Sequence, residues 1–128
     1  MTTTEQDDLE RISIQAGQAI FDEGDFGDRA YIVEDGIVEI SRKVGGEKMT
    51  LGTVERNGIF GEMALIDESK RIASAVAVID TVLIPVPKVA IQSILANADP
   101  LLRKLVSVLV SNARSLSDHI ARVVGDEN

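Results

Sequence analysis

Short apolar segments separated by turn residues fill the chain from Ile12 to Val86. This texture is typical of an all-β barrel or sandwich. Three pairs of strands are predicted, and the first two contain good tight-turn residues. The pairs are AYIVEDGIVEIS, joined at Asp35-Gly36; RKVGGEKMTLGTV, joined at Gly45-Gly46; and ASAVAVID followed by TVLIPVP. This pattern constrains most of the chain to a β-rich body.

Helical signals begin only after Pro87. The periodicity of KVAIQSILANA predicts a first helix over about 88–97. Asp99 suits an N-cap and Pro100 suits the first helical position, so a second helix is predicted from Pro100 to about Val124. A chain of 128 residues can bury one core but not two. We therefore expect a single domain over 1–128, mainly β with C-terminal helices.

The second predicted helix carries a heptad pattern, which we call the seam. Its two lines are Leu102, Leu109, Leu116 and Val123, and, three residues behind, Leu105, Asn112 and His119. This spacing suits a coiled coil, in which a lone buried Asn sets the register, so a homodimer is predicted. A second apolar line, Val106, Ala113 and Ile120, widens the face. One part is expected to cover the β body while the other meets a second copy; a helix that packs only on its own domain is the alternative.

The charge balance and the absence of cysteine exclude several partners and sites. There are 13 Lys and Arg against 21 Asp and Glu, a net charge of −8, which repels nucleic acid and anionic lipid. Without cysteine, disulfides, thiolate nucleophiles, iron–sulfur clusters and Cys-based zinc sites are excluded. No signal peptide and no apolar run of membrane-spanning length is present. We therefore expect a cytoplasmic protein with no nucleic-acid or membrane partner.

Patterns of catalytic residues are missing as well. His119 is the only histidine and lies in the predicted seam, which argues against a histidine metal centre. The sequence contains no P-loop, GxGxxG, HExxH or nucleophile elbow. We therefore predict a protein that is not an enzyme, with no catalytic residue, no metal site and no cofactor.

The stretch FGEMALIDESKRIASA, residues 60–75, combines an anion site with a carboxylate. EMALI is long enough for one helical turn, whose first N–H groups, on residues 63–65, would point outward at an anion. Arg71 can bring a planar guanidinium fork to the same place, which suits phosphate. Because the ionised Glu62 only accepts hydrogen bonds, the ligand needs a hydroxyl near its phosphate. A 3′,5′-cyclic nucleotide, with its free 2′-hydroxyl, meets both requirements.

This stretch resembles the phosphate-binding cassette of the cyclic nucleotide-binding domain family, the sensor module of catabolite-activator-type regulators, cyclic-nucleotide-dependent kinases and gated channels. The family pattern is Gly-Glu, apolar, small, apolar, a variable loop, then Arg, a small residue, Ala and often Ser or Thr. Upstream, GDFGDRAYIVEDGIVEIS resembles the family's early strand pair, and the predicted helices resemble its hinge and lid. The resemblance implies a jelly-roll-like β-roll over about 12–87 and a set of ligand-binding residues. They are Phe60, Gly61, Glu62, Met63, Ala64, Leu65, Arg71, Ile72, Ala73 and Ser74, with Ser117 on the lid helix.

Two residues depart from the family pattern. Ile72 stands where Ser, Thr or Ala is usual, and in the family a hydroxyl there helps to bind the phosphate and, as Thr, favours guanine. Its absence implies cAMP in preference to cGMP. Lys70 replaces a common proline, so the loop before Arg71 is less rigid. Ser117 matches, by its distance from Pro100, the hydroxyl residues that contact adenine in relatives with a dimerising last helix.

Two alternatives stay open at this point. In an unoccupied turn, Arg71 and Glu62 would form an ordinary ion pair. A degenerate module would keep the fold and act through dimerisation or protein interaction, without a nucleotide. The sequence stops at VVGDEN, where relatives begin a DNA-binding domain, so we expect a sensor without an output domain of its own. It is then either a stand-alone sensor that acts on an effector protein in trans or a fragment.

Overall fold

The computed structural model describes residues 8–62 and 70–126. Its described part contains eight strands followed by two helices. The strands are β1 Ile12–Ile14, β2 Ala19–Phe21, β3 Arg29–Asp35, β4 Val38–Val44, β5 Glu47–Val54, β6 Ile59–Phe60, β7 Ser74–Ala77 and β8 Thr81–Pro87; the helices are α1 Lys88–Ala96 and α2 Pro100–Asp126. No helix among them is long and apolar enough to cross a membrane.

The strands form two antiparallel four-stranded sheets. One has the order β1-β8-β3-β6 and the other β2-β7-β4-β5. The two sheets enclose one hydrophobic core, and both helices follow the last strand. The predicted class, mainly β with a jelly-roll-like body and C-terminal helices, is confirmed.

Two of the three predicted strand pairs are corners between the sheets rather than hairpins. β4 and β5 do form the predicted hairpin, in which Val44 lies opposite Glu47. β3 and β4, however, lie in different sheets, as do β7 and β8. The predicted division after Ser41 is also wrong, because β4 continues through residues 42–44 as one strand.

Gly36 shows why the first turn forms a corner. It has a φ of +120°, and a Cβ built on it would lie 2.7 Å from the Cα of Thr81. Thr81 is buried, and its hydroxyl donates to the carbonyl of Ile79 at 2.8 Å. The β3–β4 turn thus packs against the β7–β8 turn, where both segments change sheet. Turn residues alone do not distinguish such a corner from a hairpin.

An aromatic cluster joins the two sheets beside an otherwise aliphatic core. Val33 and Leu83 are fully buried between the sheets. The rings of Phe21, Tyr31 and Phe60 have centroids 5.4, 5.9 and 6.3 Å apart. Each such pair stabilises a fold by about 0.5–1.5 kcal/mol beyond the contribution of its buried surface. Because Phe21 belongs to one sheet and the other two rings to the second, the cluster fixes the position of the chain that follows β6.

The second helix begins as the sequence predicts and packs on the body through one face. The Leu101 N–H donates to Asp99 Oδ1 at 2.8 Å, so Asp99 is the N-cap. Val110 is 9% exposed, and Val106, one turn earlier, is half-buried. Ala113, on the predicted second line, is exposed. The body-facing residues therefore follow the i, i+4 spacing of a single helix face rather than a seven-residue repeat.

The seam residues of α2 that the structure describes face solvent. Leu102, Leu105, Leu109 and Leu116 are 51 to 60% exposed. Asn112 and His119 are exposed as well, and the side chain of Val123 lies outside the described part. The helix thus separates a body-facing side from an apolar seam that its own domain leaves uncovered.

Candidate functional site

A tight turn at Gly61 follows the short strand β6 and forms one end of the site. Phe60 is 4% exposed and lies opposite Tyr31 in the sheet, which anchors the turn. Gly61 has a φ of +82°, and a Cβ built on it would lie 2.7 Å from Arg71 Nη1 and 3.2 Å from Phe21 Cε2. Only glycine combines this backbone conformation with so close an approach.

Arg71 is buried beneath this turn, with 5% of its surface exposed. Its Nη1 donates to the Gly61 carbonyl at 2.8 Å and its Nη2 to the Arg29 carbonyl at 2.6 Å. The guanidinium carbon lies 4.0 Å from the centroid of the Phe21 ring. Its Nε is buried and has no hydrogen-bond partner among the described residues. A buried charged group with an open donor is costly unless something pairs with it.

The environment of Arg71 shifts its pKa in the direction that burial predicts. Desolvation lowers the pKa of the guanidinium, whereas the nearby Tyr31, Asp28 and Asp25 act in the opposite sense. An arginine remains charged despite such a shift. The site therefore holds a permanent positive charge in an apolar setting, where an anion would be attracted strongly.

The main chain of Arg71 is held by the turn that precedes β3. Its N–H donates to the carbonyl of Asp25 at 2.8 Å, and its carbonyl accepts from the Gly24 N–H at 2.9 Å. The preceding residue, Lys70, forms an isolated bridge with Phe26 and places its ammonium nitrogen 5.1 Å from the centroid of that ring. The residue immediately before Arg71 is thus held by these contacts.

Glu62 follows the turn and is half-buried. Burial raises the pKa of its carboxyl, while a backbone hydrogen bond and the charge of Arg71 lower it by smaller amounts. The ion pairs between described residues do not include one between Glu62 and Arg71. The alternative of an ordinary ion pair across an empty turn is therefore not what the structure contains.

A cavity of about 220 Å³ lies between the Gly61 turn and the sheet that contains β4 and β5. Its lining is polar at the Gly61, Glu62 and Arg71 end and apolar elsewhere. The lining residues are Phe21, Ile40, Leu51, Val54, Ile59, Phe60, Gly61, Glu62, Arg71, Ile72 and Ala73. An apolar pocket with a few converging polar groups is the usual form of a small-molecule site. Within residues 8–62 and 70–126, no group of three or more His, Cys, Asp or Glu is placed to hold a metal ion.

The structure brings together most of the predicted site residues that it describes. Six of them line the cavity: Phe60, Gly61, Glu62, Arg71, Ile72 and Ala73. Ser74 is not among the lining residues, and its hydroxyl accepts from the Glu23 N–H at 2.8 Å. Met63, Ala64, Leu65 and the side chain of Ser117 lie outside the described residues, so their roles stay predictions.

The apolar wall of the cavity was not predicted from the sequence. Ile40, Leu51 and Val54 come from the β4–β5 hairpin. The register of this hairpin shifts at Leu51. Gly52 lies opposite Ile40 and Thr50 lies opposite Ser41, so Leu51, between them, has no partner on β4. A bulge of this kind redirects a side chain and interrupts the alternation of a regular strand. Leu51 and Val54 are three positions apart, so a regular alternation would not have placed both on one face.

Both the sequence and the fold match known proteins. The cyclic nucleotide-binding domain family matches residues 11–98. The cyclic AMP receptor protein of Thermus thermophilus is 46% identical over 69 residues, which are 53% of this chain and 32% of that protein. The CRP-like cAMP-activated global transcriptional regulator of Mycobacterium tuberculosis is 26% identical over 117 residues, which are 91% of this chain and 52% of the regulator.

Among solved structures, the cAMP-bound form of the EAL enzyme Bd1971 resembles this chain with a TM-score of 0.82 and 38% identity, over 88% of this chain and 30% of that one. The same enzyme has also been solved in a cGMP-bound form. The chain thus spans 30 to 52% of the length of these proteins. The family match over residues 11–98, the two-sheet body and the Gly61–Arg71 turn agree, and the chain belongs to the cyclic nucleotide-binding domain family.

Proposed function

We propose that this chain is a sensor that binds a 3′,5′-cyclic nucleotide, cAMP in preference to cGMP, in the cavity beside Gly61. The observation that carries the proposal is the buried guanidinium of Arg71, whose Nε has no partner among the described residues. A cyclic phosphate carries one negative charge and two free oxygens, which match this cation. Recognition of the phosphate is therefore the main interaction, and contacts to the ribose and the base add to it.

Each part of the ligand has a matching group at the site. Two of the five N–H groups of Arg71 donate to the Gly61 and Arg29 carbonyls, and the Nε–H is the donor proposed for a phosphate oxygen. For residues 63–65, which lie outside the described part, the sequence predicts N–H groups that would complete the anion site, as a helix start does elsewhere. Glu62 accepts a hydrogen bond from the ribose 2′-hydroxyl, and the base lies against the apolar wall of Ile40, Leu51 and Val54.

The preference for cAMP rests on Ile72. Its side chain lines the cavity and has no hydroxyl to offer to guanine. The other apolar residues of the wall likewise offer no hydrogen bond to either base, so we expect a modest preference. On α2, Ser117 is the proposed hydroxyl contact to the base.

The relatives support a regulatory role for the site. By name, one relative is a cyclic AMP receptor and another a cAMP-activated transcriptional regulator. The alternative is a degenerate module that acts only by dimerisation or by contact with another protein. It leaves unexplained why a cation is buried beside a cavity with a donor that no described residue accepts from.

The seam of α2 supports a second part of the proposal, a homodimer. Leu102, Leu105, Leu109 and Leu116 are at least half exposed in heptad register, while Val110 on another face covers the body. A second copy presents the same seam, and a parallel or antiparallel pair of such helices buries both. Asn112 lies within the seam and would set its register. An effector protein acting in trans is a further proposed partner.

Isothermal titration calorimetry of ligand-stripped protein with cAMP and with cGMP tests the proposal. We expect binding by the natural sequence, and Arg71→Lys should weaken it about tenfold or more, because Lys keeps the charge but loses the planar fork. Arg11→Lys is the matched control. Arg11 donates a hydrogen bond of 2.7 Å to Glu34 and is not among the residues that line the cavity. Urea unfolding of each variant checks that the fold is intact.

Two results would contradict separate parts of the proposal. The absence of heat with either nucleotide, together with an unchanged melting temperature at high ligand concentration, would show that the module does not bind. For comparison, a ligand at a hundred times its Kd stabilises by about 2.7 kcal/mol. Equal cAMP affinities for Arg71→Lys and the natural protein would show that the guanidinium of Arg71 does not bind the phosphate.

A further inference from the structure

Arg42 makes a tertiary contact between the β body and the C-terminal helix. Its Nη1 donates to Asp118 Oδ1 at 2.7 Å, across 76 positions of sequence. The side chain of Arg42 is 18% exposed and that of Asp118 is 54% exposed. The contact lies two turns beyond Val110, the residue of α2 that is buried on the body. Asp118 therefore extends the docked part of the helix toward its C-terminal half.

Arg42 lies on β4, a strand that also contributes to the cavity wall. Side chains two residues apart on a strand project from the same face. Ile40 lines the cavity, so Arg42 follows it on that face. Arg42 holds Asp118 against β4, the strand that supplies Ile40 to the apolar wall.

A short acidic segment connects Arg42 to the turn that holds Arg71. Glu23 Oε2 lies 3.8 Å from Arg42 Nε, and Glu23 Oε1 accepts from the Lys43 N–H at 3.0 Å. On its other side, the Glu23 N–H donates to Ser74 Oγ at 2.8 Å. The next residue, Gly24, donates its N–H to the Arg71 carbonyl. The segment 23–24 thus joins β4 to the chain on both sides of Ile72.

We propose that Arg42 is a latch that docks α2 against the body at the edge of the cavity, and that Glu23 couples this latch to the Arg71 turn. A half-exposed ion pair contributes only a small free energy, so it can shift between made and broken states without disturbing the core. Breaking it lets the middle of α2 leave the wall, which exposes the base end of the cavity. Its effect on nucleotide affinity rests on the proposed function; the docking of the helix does not.

Amide hydrogen exchange of the ligand-free protein tests the docking. Asp118→Asn should raise exchange rates in residues 110–122 about two- to fivefold, the range expected for one such pair. Glu34→Gln is the matched control, because it breaks the Arg11–Glu34 pair on another surface and should leave this helix unchanged. Asp118 lies two positions after Leu116, outside the seam, so sedimentation of both variants should match the natural protein.

Arg42→Met and the double variant complete a thermodynamic cycle. Arg42→Met also loses the contact to Glu23, so it should exchange at least as fast as Asp118→Asn, and the double variant should be no faster than Arg42→Met, because the Arg42–Asp118 pair is already lost there. The affinity for cAMP should fall by the same factor in Asp118→Asn, while Asp118→Glu should restore most of it. Exchange in Asp118→Asn equal to that in Glu34→Gln, or additive effects in the double variant, would overturn the latch. If the natural protein binds no cyclic nucleotide, the proposed function fails, and the exchange data still decide the latch.

Discussion

Replacing Gly61 by alanine separates the cost of an unusual backbone conformation from the cost of displacing Arg71. At its φ of +82° the added Cβ would lie 2.7 Å from Arg71 Nη1. Gly46 has nearly the same φ, +84°, but nothing lies within 4 Å of the corresponding Cβ. Gly46→Ala is therefore a matched control that carries the backbone strain alone.

The expected costs follow from these two environments. An alanine in the left-handed region costs about 1–2 kcal/mol at either position. At Gly61 the guanidinium of Arg71 must also move away, which weakens or breaks its hydrogen bonds to the Gly61 and Arg29 carbonyls. A hydrogen bond from a charged donor is worth about 1.5–3 kcal/mol, and part of this is recovered by rearrangement. We expect Gly61→Ala to be less stable than Gly46→Ala by about 1–3 kcal/mol.

Urea unfolding followed by circular dichroism measures both variants, and calorimetry measures their affinity for cAMP. Gly61→Ala should lose affinity as well as stability, since the arginine proposed to bind the phosphate is displaced. Gly46→Ala should bind as the natural protein does. Equal unfolding free energies for the two variants, or unaltered affinity in Gly61→Ala, would refute the inferred contact between Arg71 and this turn.

Three further predictions concern pH, base selectivity and assembly. Burial raises the pKa of Glu62 in the folded protein, so this carboxyl stabilises the ligand-free fold most at pH values below its unfolded pKa of about 4.3, and the contribution is lost as the pH rises through the folded pKa. Glu62→Gln should therefore stabilise the ligand-free protein at pH 7 and weaken cAMP binding. Urea unfolding and calorimetry at two pH values will test both effects. Ile72→Thr should narrow the preference for cAMP over cGMP, and a natural protein that prefers cGMP by about tenfold would contradict the role given to Ile72. Leu109→Glu, in the seam, should shift sedimentation toward a monomer, whereas Ser107→Glu, outside the seam, should not; a natural protein that stays monomeric at high concentration would disprove the dimer.

The sequence alone was sufficient for the features that depend on local chemistry. Asp99 and Pro100 predicted the start of α2 because capping satisfies N–H groups within one helical turn. The spacing of Glu62 and Arg71 predicted one site, and the structure places both on one cavity. Likewise, turn residues and apolar segments predicted the β-rich body, since they reflect the conformations that single residues prefer.

The tertiary structure decided the features that depend on which segments meet. Asp35-Gly36 is a corner rather than a hairpin because Gly36 packs on Thr81, a residue distant in sequence. The bulge at Leu51 forms an apolar wall that a regular alternation would have placed differently. Arg71 bonds main-chain carbonyls rather than Glu62, and Arg42 reaches Asp118. Each of these contacts depends on the packing of two sheets and a helix. The conformational preferences of single residues do not determine which distant segments of the chain meet.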